Sequence, residues 1–330
     1  MSNPSPLISV IIPTKNGDAW LAKTISAILD QTLSDQTEII IMDSGSTDNT
    51  AEILSRYPVW VIPIEPSSFN HGGTRNVGVR HAKGKYIVMT VQDAEPDSRF
   101  WLQNLLDGFD DEKVAGVCGQ QIVPHDPENN PVDWFRPVSA PDKKKFFFDR
   151  PADFEALTAA EQRNICRWDD VNAMYRRDVL LSLPFRFTSF AEDALWARDA
   201  LMAGYAIVYN TAARVKHYHF ETPEYAFRRS FTVYYHMYIY FSERPSRVDN
   251  GLIMLLRNSK LLLKESRIGW PDKWKWLLFN YRQRTAINKA IDIFNDALAK
   301  GRTELDCKHN EICRTPPQAL KPGRKEIKKA

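Results

Sequence analysis

Up to residue 118 the chain alternates short apolar, β-branched runs with stretches whose apolar residues recur at helical spacing, and this alternation constrains the fold most. Residues 7–12 form the first apolar run, which ends at Pro13. Residues 18–31 then place Trp20, Leu21, Thr24, Ile25, Ile28 and Leu29 on one face of a helix. Residues 38–42 read as the second strand, followed by Asp43-Ser44-Gly45-Ser46-Thr47-Asp48, a turn-rich segment suited to cap a helix over 48–56. A strand over 59–62, a helix over 73–82, a strand over 85–91, a helix near 98–109 and a strand over 113–118 continue the series. Short apolar strands separated by amphipathic helices predict a mostly parallel sheet covered on both faces. Ligands of such sheets gather outside the carboxyl ends of the strands. Thr14, Lys15 and Asn16 after the first strand, Asp43 after the second and Asp93 after the fourth are therefore expected on one edge.

The pattern breaks at about 120–168, where prolines and charges crowd together (PHDPENNP, KKKFFFDRP), and this segment reads as an irregular insertion. Order returns with a strand over 171–175, a helix near 193–203 and strand-like runs over 206–209 and 214–216. From 222 onward the chain reads as helical. The expected organisation is an α/β domain over 1–221 and a helical region over 222–330 that ends in a basic, disordered tail, KPGRKEIKKA. Within the helical region Trp270, Trp274, Trp276, Leu277, Phe279 and Tyr281 interleave with Lys273, Lys275, Arg282 and Arg284. That mixture suits a membrane surface as well as it suits a domain-packing helix with solvated lysines.

Several function classes recede. Charge is nearly balanced (44 − 41 = +3), which gives no argument for nucleic acid. Neither G-x-G-x-x-G nor a G-K-[ST] phosphate loop occurs, which argues against a dinucleotide oxidoreductase. The first strand also lacks the Gly-rich basic loop expected of a nucleotidyltransferase. The start of the chain, MSNPSPLISVII, lacks a basic n-region, and no apolar run approaches the ~18 residues that span a bilayer. Cys118, Cys166, Cys307 and Cys313 form no CxxC pair; Cys307, His309 and Cys313 cluster but lack a fourth zinc ligand. Sparse, unpatterned cysteines fit a reducing, cytoplasmic setting.

Four sets of residues could carry chemistry, each with a plainer explanation beside it. Asp93, in Val-Gln-Asp-Ala-Glu-Pro, follows an apolar strand, where an acid suits a metal ion that bridges phosphates; the plainer reading is a turn before Pro96. Glu192-Asp193 opens a helix, as acids do in simple N-terminal capping. His217 and His219, two apart after a strand, face the same way and could bind metal or be structural. Arg75 lies near a helix N-terminus and suits either a phosphate or a surface ion pair.

The motifs together resemble the inverting family 2 glycosyltransferases. The resemblance rests on Ile-Ser-Val-Ile-Ile-Pro-Thr-Lys-Asn and Met-Asp-Ser-Gly-Ser-Thr-Asp-Asn-Thr within residues 8–50. Phe-Asn-His-Gly-Gly-Thr-Arg-Asn and Val-Gln-Asp-Ala-Glu-Pro within 69–96 resemble the bacterial rhamnosyltransferase branch. Asn-Ala-Met-Tyr-Arg-Arg, Ala-Glu-Asp, Ala-Gly-Tyr and His-Tyr-His within 172–219 continue it, so the likeness covers about 1–240.

The resemblance implies a Rossmann-like GT-A fold, of the nucleotide-diphospho-sugar transferase kind, with a C-terminal helical extension. It implies a donor site at Pro13, Thr14, Asn16, Asp43, Arg75, Asn76, Gln92 and Asp93. Thr14 and Asp43 would meet the nucleobase and ribose, and Arg75 would sit near the diphosphate. Asp193 matches the catalytic base, supported by Glu192. Asp93 matches the second acid of the family's Asp-x-Asp metal motif, and His217, or alternatively His219, matches a further ligand of Mg²⁺ or Mn²⁺. The first acid of that motif is replaced by Val91. The expected reaction moves L-rhamnose from dTDP-L-rhamnose to a saccharide or lipid-linked saccharide acceptor, in O-antigen or capsule synthesis. This would take place on the inner face of the cytoplasmic membrane, with possible peripheral contact. A UDP- or GDP-sugar donor, or a non-catalytic nucleotide-binding relative, is the alternative.

Overall fold

The computed structural model describes residues 5–126, 129–247 and 251–313, so the basic tail at 321–330 lies outside the described residues. The chain divides into two compact units, one of residues 1–122 and 138–217, the other of residues 123–137 and 218–330. The division falls at 217 where the sequence suggested 221, and one part of the expected insertion goes with the helical region.

The first unit runs β1 (Ile8–Thr14), α1 (Leu21–Leu29), β2 (Thr37–Asp43), α2 (Thr50–Leu54), β3 (Trp60–Pro63), α3 (His71–His81), β4 (Tyr86–Met89), β5 (Glu95–Pro96), α4 (Trp101–Leu106) and β6 (Val114–Ile122). It continues through β7 (Lys143–Phe146), α5 (Pro151–Glu155), α6 (Ala159–Ile165), β8 (Ala173–Arg176), α7 (Arg177–Ser182), α8 (Glu192–Met202) and β9 (Ala206–Lys216). The insertion is thus only partly irregular, since β7, α5 and α6 lie inside it.

All nine strands join one sheet in the order β3-β2-β1-β4-β8-β6-β9-β5, with β7 on β9. β3, β2, β1 and β4 are parallel, whereas β8 runs antiparallel between β4 and β6. The sheet is therefore mixed rather than mostly parallel. Buried apolar runs read the same in either direction, so strand composition cannot report that β8 is reversed.

β1 is buried on both faces. Ile8, Val10 and Ile12 pack with Leu21, Ile25 and Ile28 of α1. On the opposite face Ile11 approaches α3 so closely that a Cβ at Gly78 would lie 2.8 Å from the Ile11 Cγ2. Each fully buried isoleucine contributes about 1.5–3 kcal/mol relative to exposure. α3 has little amphipathic pattern of its own; it starts at His71 because the Asn70 side chain caps it, accepting from the Gly73 amide at 2.9 Å.

The second unit is built on α9 (Pro223–Phe241), α10 (Gly251–Lys264), α11 (Trp270–Ala299) and α12 (Arg302–Cys313). Phe231, Ala290, Phe294, Ala297 and Leu305 join α9, α11 and α12 in one core. The segment before β7 is tied in by amides: Asn130 and Asn280 bond reciprocally at 2.9 and 3.0 Å, both buried. Near the end of the described residues, the His309 ring stacks on Tyr235 with centroids 3.8 Å apart.

Candidate active site

The order β2-β1-β4 makes the carboxyl ends of β1 and β4 the point where the sheet's connections reverse direction. The residues expected on that edge do meet there. The Gln92 side chain accepts from the Lys15 amide at 3.0 Å, and the Gln92 carbonyl accepts from Thr24 Oγ1 at 2.9 Å. Asn16 sits in the left-handed region (φ 52°), with its amide donating to Ser46 Oγ and its Oδ1 accepting from the Thr47 amide, both at 2.9 Å. Asp43 accepts from the Ser46 hydroxyl at 2.5 Å. Thr14 is buried, and its carbonyl accepts from the Ser44 amide at 2.9 Å. Pro13 lies within β1, opposite Met42. The result is a loop edge held by hydrogen bonds of Gln92, Asn16 and Ser46 and anchored on the Asp43 carboxylate.

The short strand β5 brings the next acid to this edge. Antiparallel pairing of Glu95 with Lys216 and Pro96 with Val215 carries the preceding residues of β5 towards those that follow β9. Asp93 and His217 consequently face one another, with Oδ1 and Nε2 3.5 Å apart and both side chains largely buried. Two ligands of one cation at ~2.1 Å stand about 3–3.5 Å apart, so this donor pair suits a shared divalent ion. The imidazole is aimed from behind, because Nδ1 lies 2.7 Å from the Gln121 Oε1, an acceptor that fixes Nδ1 as the N–H. Gln121 in turn donates to Asp169. His219 follows two residues after His217, beyond the boundary of the first unit. Val91 packs against the apolar core, so nothing at that position replaces the missing acid of Asp-x-Asp.

Asp193 is the second residue of α8 and is partly exposed. The turn into the helix is made by Ala191 in the left-handed region (φ 61°), and the Ala194 amide donates to Asp193 Oδ1 at 2.7 Å. Burial pushes the Asp193 carboxyl well above the usual carboxylate range, and the nearby charges of Glu192, Asp170 and Asp169 push it the same way. Behind it lies an ion cluster with almost no solvent contact. The Arg75 guanidinium donates to Glu192 and stands 3.3 Å from Asp170, with all three side chains buried. Burial alone would weaken the guanidinium's hold on its proton; Asp170, Glu192 and Asp193 more than reverse this. Asp170 also accepts from the Tyr175 hydroxyl, which accepts from Trp168 Nε1 at 2.6 Å.

Arg75, expected beside the donor diphosphate, is thus engaged by two buried carboxylates. Asn76, also expected at the donor, bonds the Phe185 backbone on both sides, at 2.8 and 3.0 Å. The Asn70 amide donates to the Thr188 carbonyl at 2.7 Å, and a Cβ at Gly72 would lie 2.6 Å from the Arg186 carbonyl oxygen. The His-Gly-Gly-Thr-Arg-Asn motif is therefore a platform that fixes the 185–192 segment and, through it, the position of Asp193. Sequence reasoning also missed Gln121, Asp169 and Asp170; the Asp169-Asp170 doublet before an apolar strand was the available signal.

Glycosyl transferase family 2 matches this chain over residues 9–183. The chain belongs to that family. It is a glycosyltransferase, and its α/β sheet with a C-terminal helical region is the GT-A arrangement. Among curated relatives, it is 35% identical over 232 residues to the O-antigen chain rhamnosyltransferase WbaN of Salmonella anatum, covering 68% of this chain and 70% of that one. It is 32% identical over 230 residues to the O-antigen chain rhamnosyltransferase RfbN of Salmonella typhimurium, again covering 68% and 70%. The solved S. aureus protein TarS, in complex with UDP, superposes with a TM-score of 0.51 at 16% identity, covering 88% of this chain and 91% of that one. At that identity the superposition speaks for the glycosyltransferase fold alone.

Proposed function

We propose that this glycosyltransferase moves L-rhamnose from dTDP-L-rhamnose to a saccharide acceptor, inverting the anomeric centre, in the synthesis of a cell-surface polysaccharide such as O-antigen. The observation that carries the mechanism is Asp193: a partly exposed carboxylate whose proton affinity is raised by burial and by neighbouring acids, as a general base requires. Asp193 takes the proton from an acceptor hydroxyl. The freed oxygen attacks the anomeric carbon from the face opposite the nucleoside diphosphate, which leaves. One base and no protein nucleophile gives a single displacement, hence inversion.

The donor would lie along the edge formed by Pro13, Thr14, Asn16, Asp43 and Gln92. Asp93 and His217, or His219 as the alternative to His217, would hold Mg²⁺ or Mn²⁺; bound there, a divalent cation neutralises charge on the diphosphate. Arg75, Asn76 and Glu192 serve the donor indirectly in this reading, by positioning the base. Rhamnose as the transferred sugar rests on the names of the two Salmonella relatives. A lipid-linked acceptor would place the enzyme on the inner face of the cytoplasmic membrane, in peripheral contact with it.

The deciding experiment is turnover with dTDP-L-rhamnose, UDP-sugars and GDP-sugars in parallel, with and without Mn²⁺. Product from dTDP-L-rhamnose with inverted configuration is expected. Transfer from a UDP- or GDP-sugar alone would overturn the rhamnose reading. Donor binding without any transfer would point instead to a non-catalytic relative.

A further inference from the structure

α10 and the start of α11 carry an apolar surface that the transfer reaction does not use. On α10 Ile253, Leu256 and Leu263 are exposed on one face; on α11 Trp270, Trp274, Leu278 and Tyr281 follow one another at helical spacing and are exposed too. Leu256, Trp270 and Trp274 keep 67%, 65% and 68% of their surface in solvent. Scattered exposed leucines are ordinary, but here two stripes meet. Leu262 and Leu263 join Trp270 and Trp274 in lining a shallow cavity of about 120 Å³ between the two helices.

Charge is concentrated at the same place. Residues 251–284 hold eight basic and two acidic side chains, 8 − 2 = +6, whereas the whole chain is +3, so the remaining residues sum to −3. Lys260, Lys264 and Lys275 are exposed beside the apolar stripes, and the Lys273 amine lies 5.2 Å from the centre of the Trp270 ring. No helix among the described residues is long and apolar enough to cross a bilayer. Exposed tryptophan and leucine edged by lysine, on helices unable to span, are the chemistry of an element lying in the plane of a lipid headgroup layer.

We propose that this surface seats the enzyme on an anionic lipid bilayer, with Leu256, Trp270 and Trp274 entering the headgroup layer and Lys260, Lys264 and Lys275 meeting lipid phosphates. The inference deepens the proposed function, on which it rests for the lipid-linked acceptor. A second copy of the chain fits the surface poorly, because a self-interface would set +6 against +6.

The test is flotation of the full-length protein with vesicles of phosphatidylcholine alone, or with one third phosphatidylglycerol, at low and raised salt. Binding to the anionic vesicles is expected, partly resistant to salt because burial of apolar groups is not screened. The double variant Trp270→Ala/Trp274→Ala should lower the bound fraction by about tenfold or more, and Lys260→Gln/Lys264→Gln/Lys275→Gln should abolish the preference for anionic lipid. Undiminished binding of the double variant overturns the proposal. So does failure of the wild type to bind, or a wild-type dimer that the double variant dissolves. Turnover with a water-soluble acceptor, read on the same preparations, separates the two ideas. Intact turnover without vesicle binding sinks the docking surface alone, and vesicle binding without turnover sinks the proposed reaction alone.

Discussion

Two aspartates matter most to the reaction proposed here, and the protein holds them in opposite ways. Asp193 stands in front of a buried ion cluster of Arg75, Asp170 and Glu192, so burial first and neighbouring charge second raise its proton affinity. Asp93 is set by strand pairing and faces an imidazole that a neutral amide, Gln121, orients. A base needs a field that raises its hunger for a proton. A cation ligand needs a fixed position, and a neutral amide supplies that without adding charge of its own.

The sharpest way to break the comparison is Asp193→Asn. Turnover should fall by about 10²–10⁴-fold while donor binding, followed by thermal shift, stays intact. In the wild type the base must be deprotonated, so activity falls as pH falls through its pKa. Because that pKa is raised, the acid limb of kcat/KM should lie well above the ~3.9 of an ordinary aspartate. An acid limb at the ordinary position would mean that neither burial nor the neighbouring acids set the base.

Arg75→Met comes next. It leaves Asp170 and Glu192 buried together with no cation between them, and denaturant melts should show a loss of about 3–5 kcal/mol. A loss below ~1 kcal/mol would place Arg75 nearer the surface than its burial indicates. The smallest effect is expected at Gln121→Leu, which frees the His217 ring to turn. Mn²⁺ affinity by titration calorimetry should fall by about 10–100-fold with stability nearly unchanged. Unchanged affinity would remove Gln121 from the cation side of the comparison.

The two sides also differ in how far the sequence reveals them. The edge proposed for the donor was legible because alternation of strand and helix dictates that Thr14, Asn16, Asp43 and Asp93 leave the sheet at the same end. Asp193 was visible as an acid opening a helix. The ion cluster was not, because its members are ordinary charged residues in the sequence, and only their meeting over 117 residues makes them buried partners. Arg75 read as a phosphate ligand for the same reason: a helix N-terminus is a local signal, and the carboxylate that engages it is distant. The reversed strand β8 was hidden too, since its apolar residues fit either direction.

The platform on α3 has a consequence for the order in which the enzyme comes into being. Asn70, Arg75 and Asn76 are made early, but their partners in the 185–192 segment lie 109–118 residues further along the chain. At roughly 5–20 residues per second, a ribosome would need about 5–24 seconds to cover that gap. Throughout that interval the residues proposed to hold the donor are already made while Asp193 has yet to be synthesised. Closing so long a loop is also slow relative to local pairing. The platform on α3 therefore waits for its partners, and the ion cluster of Arg75, Asp170 and Glu192 closes only once residue 192 has been made.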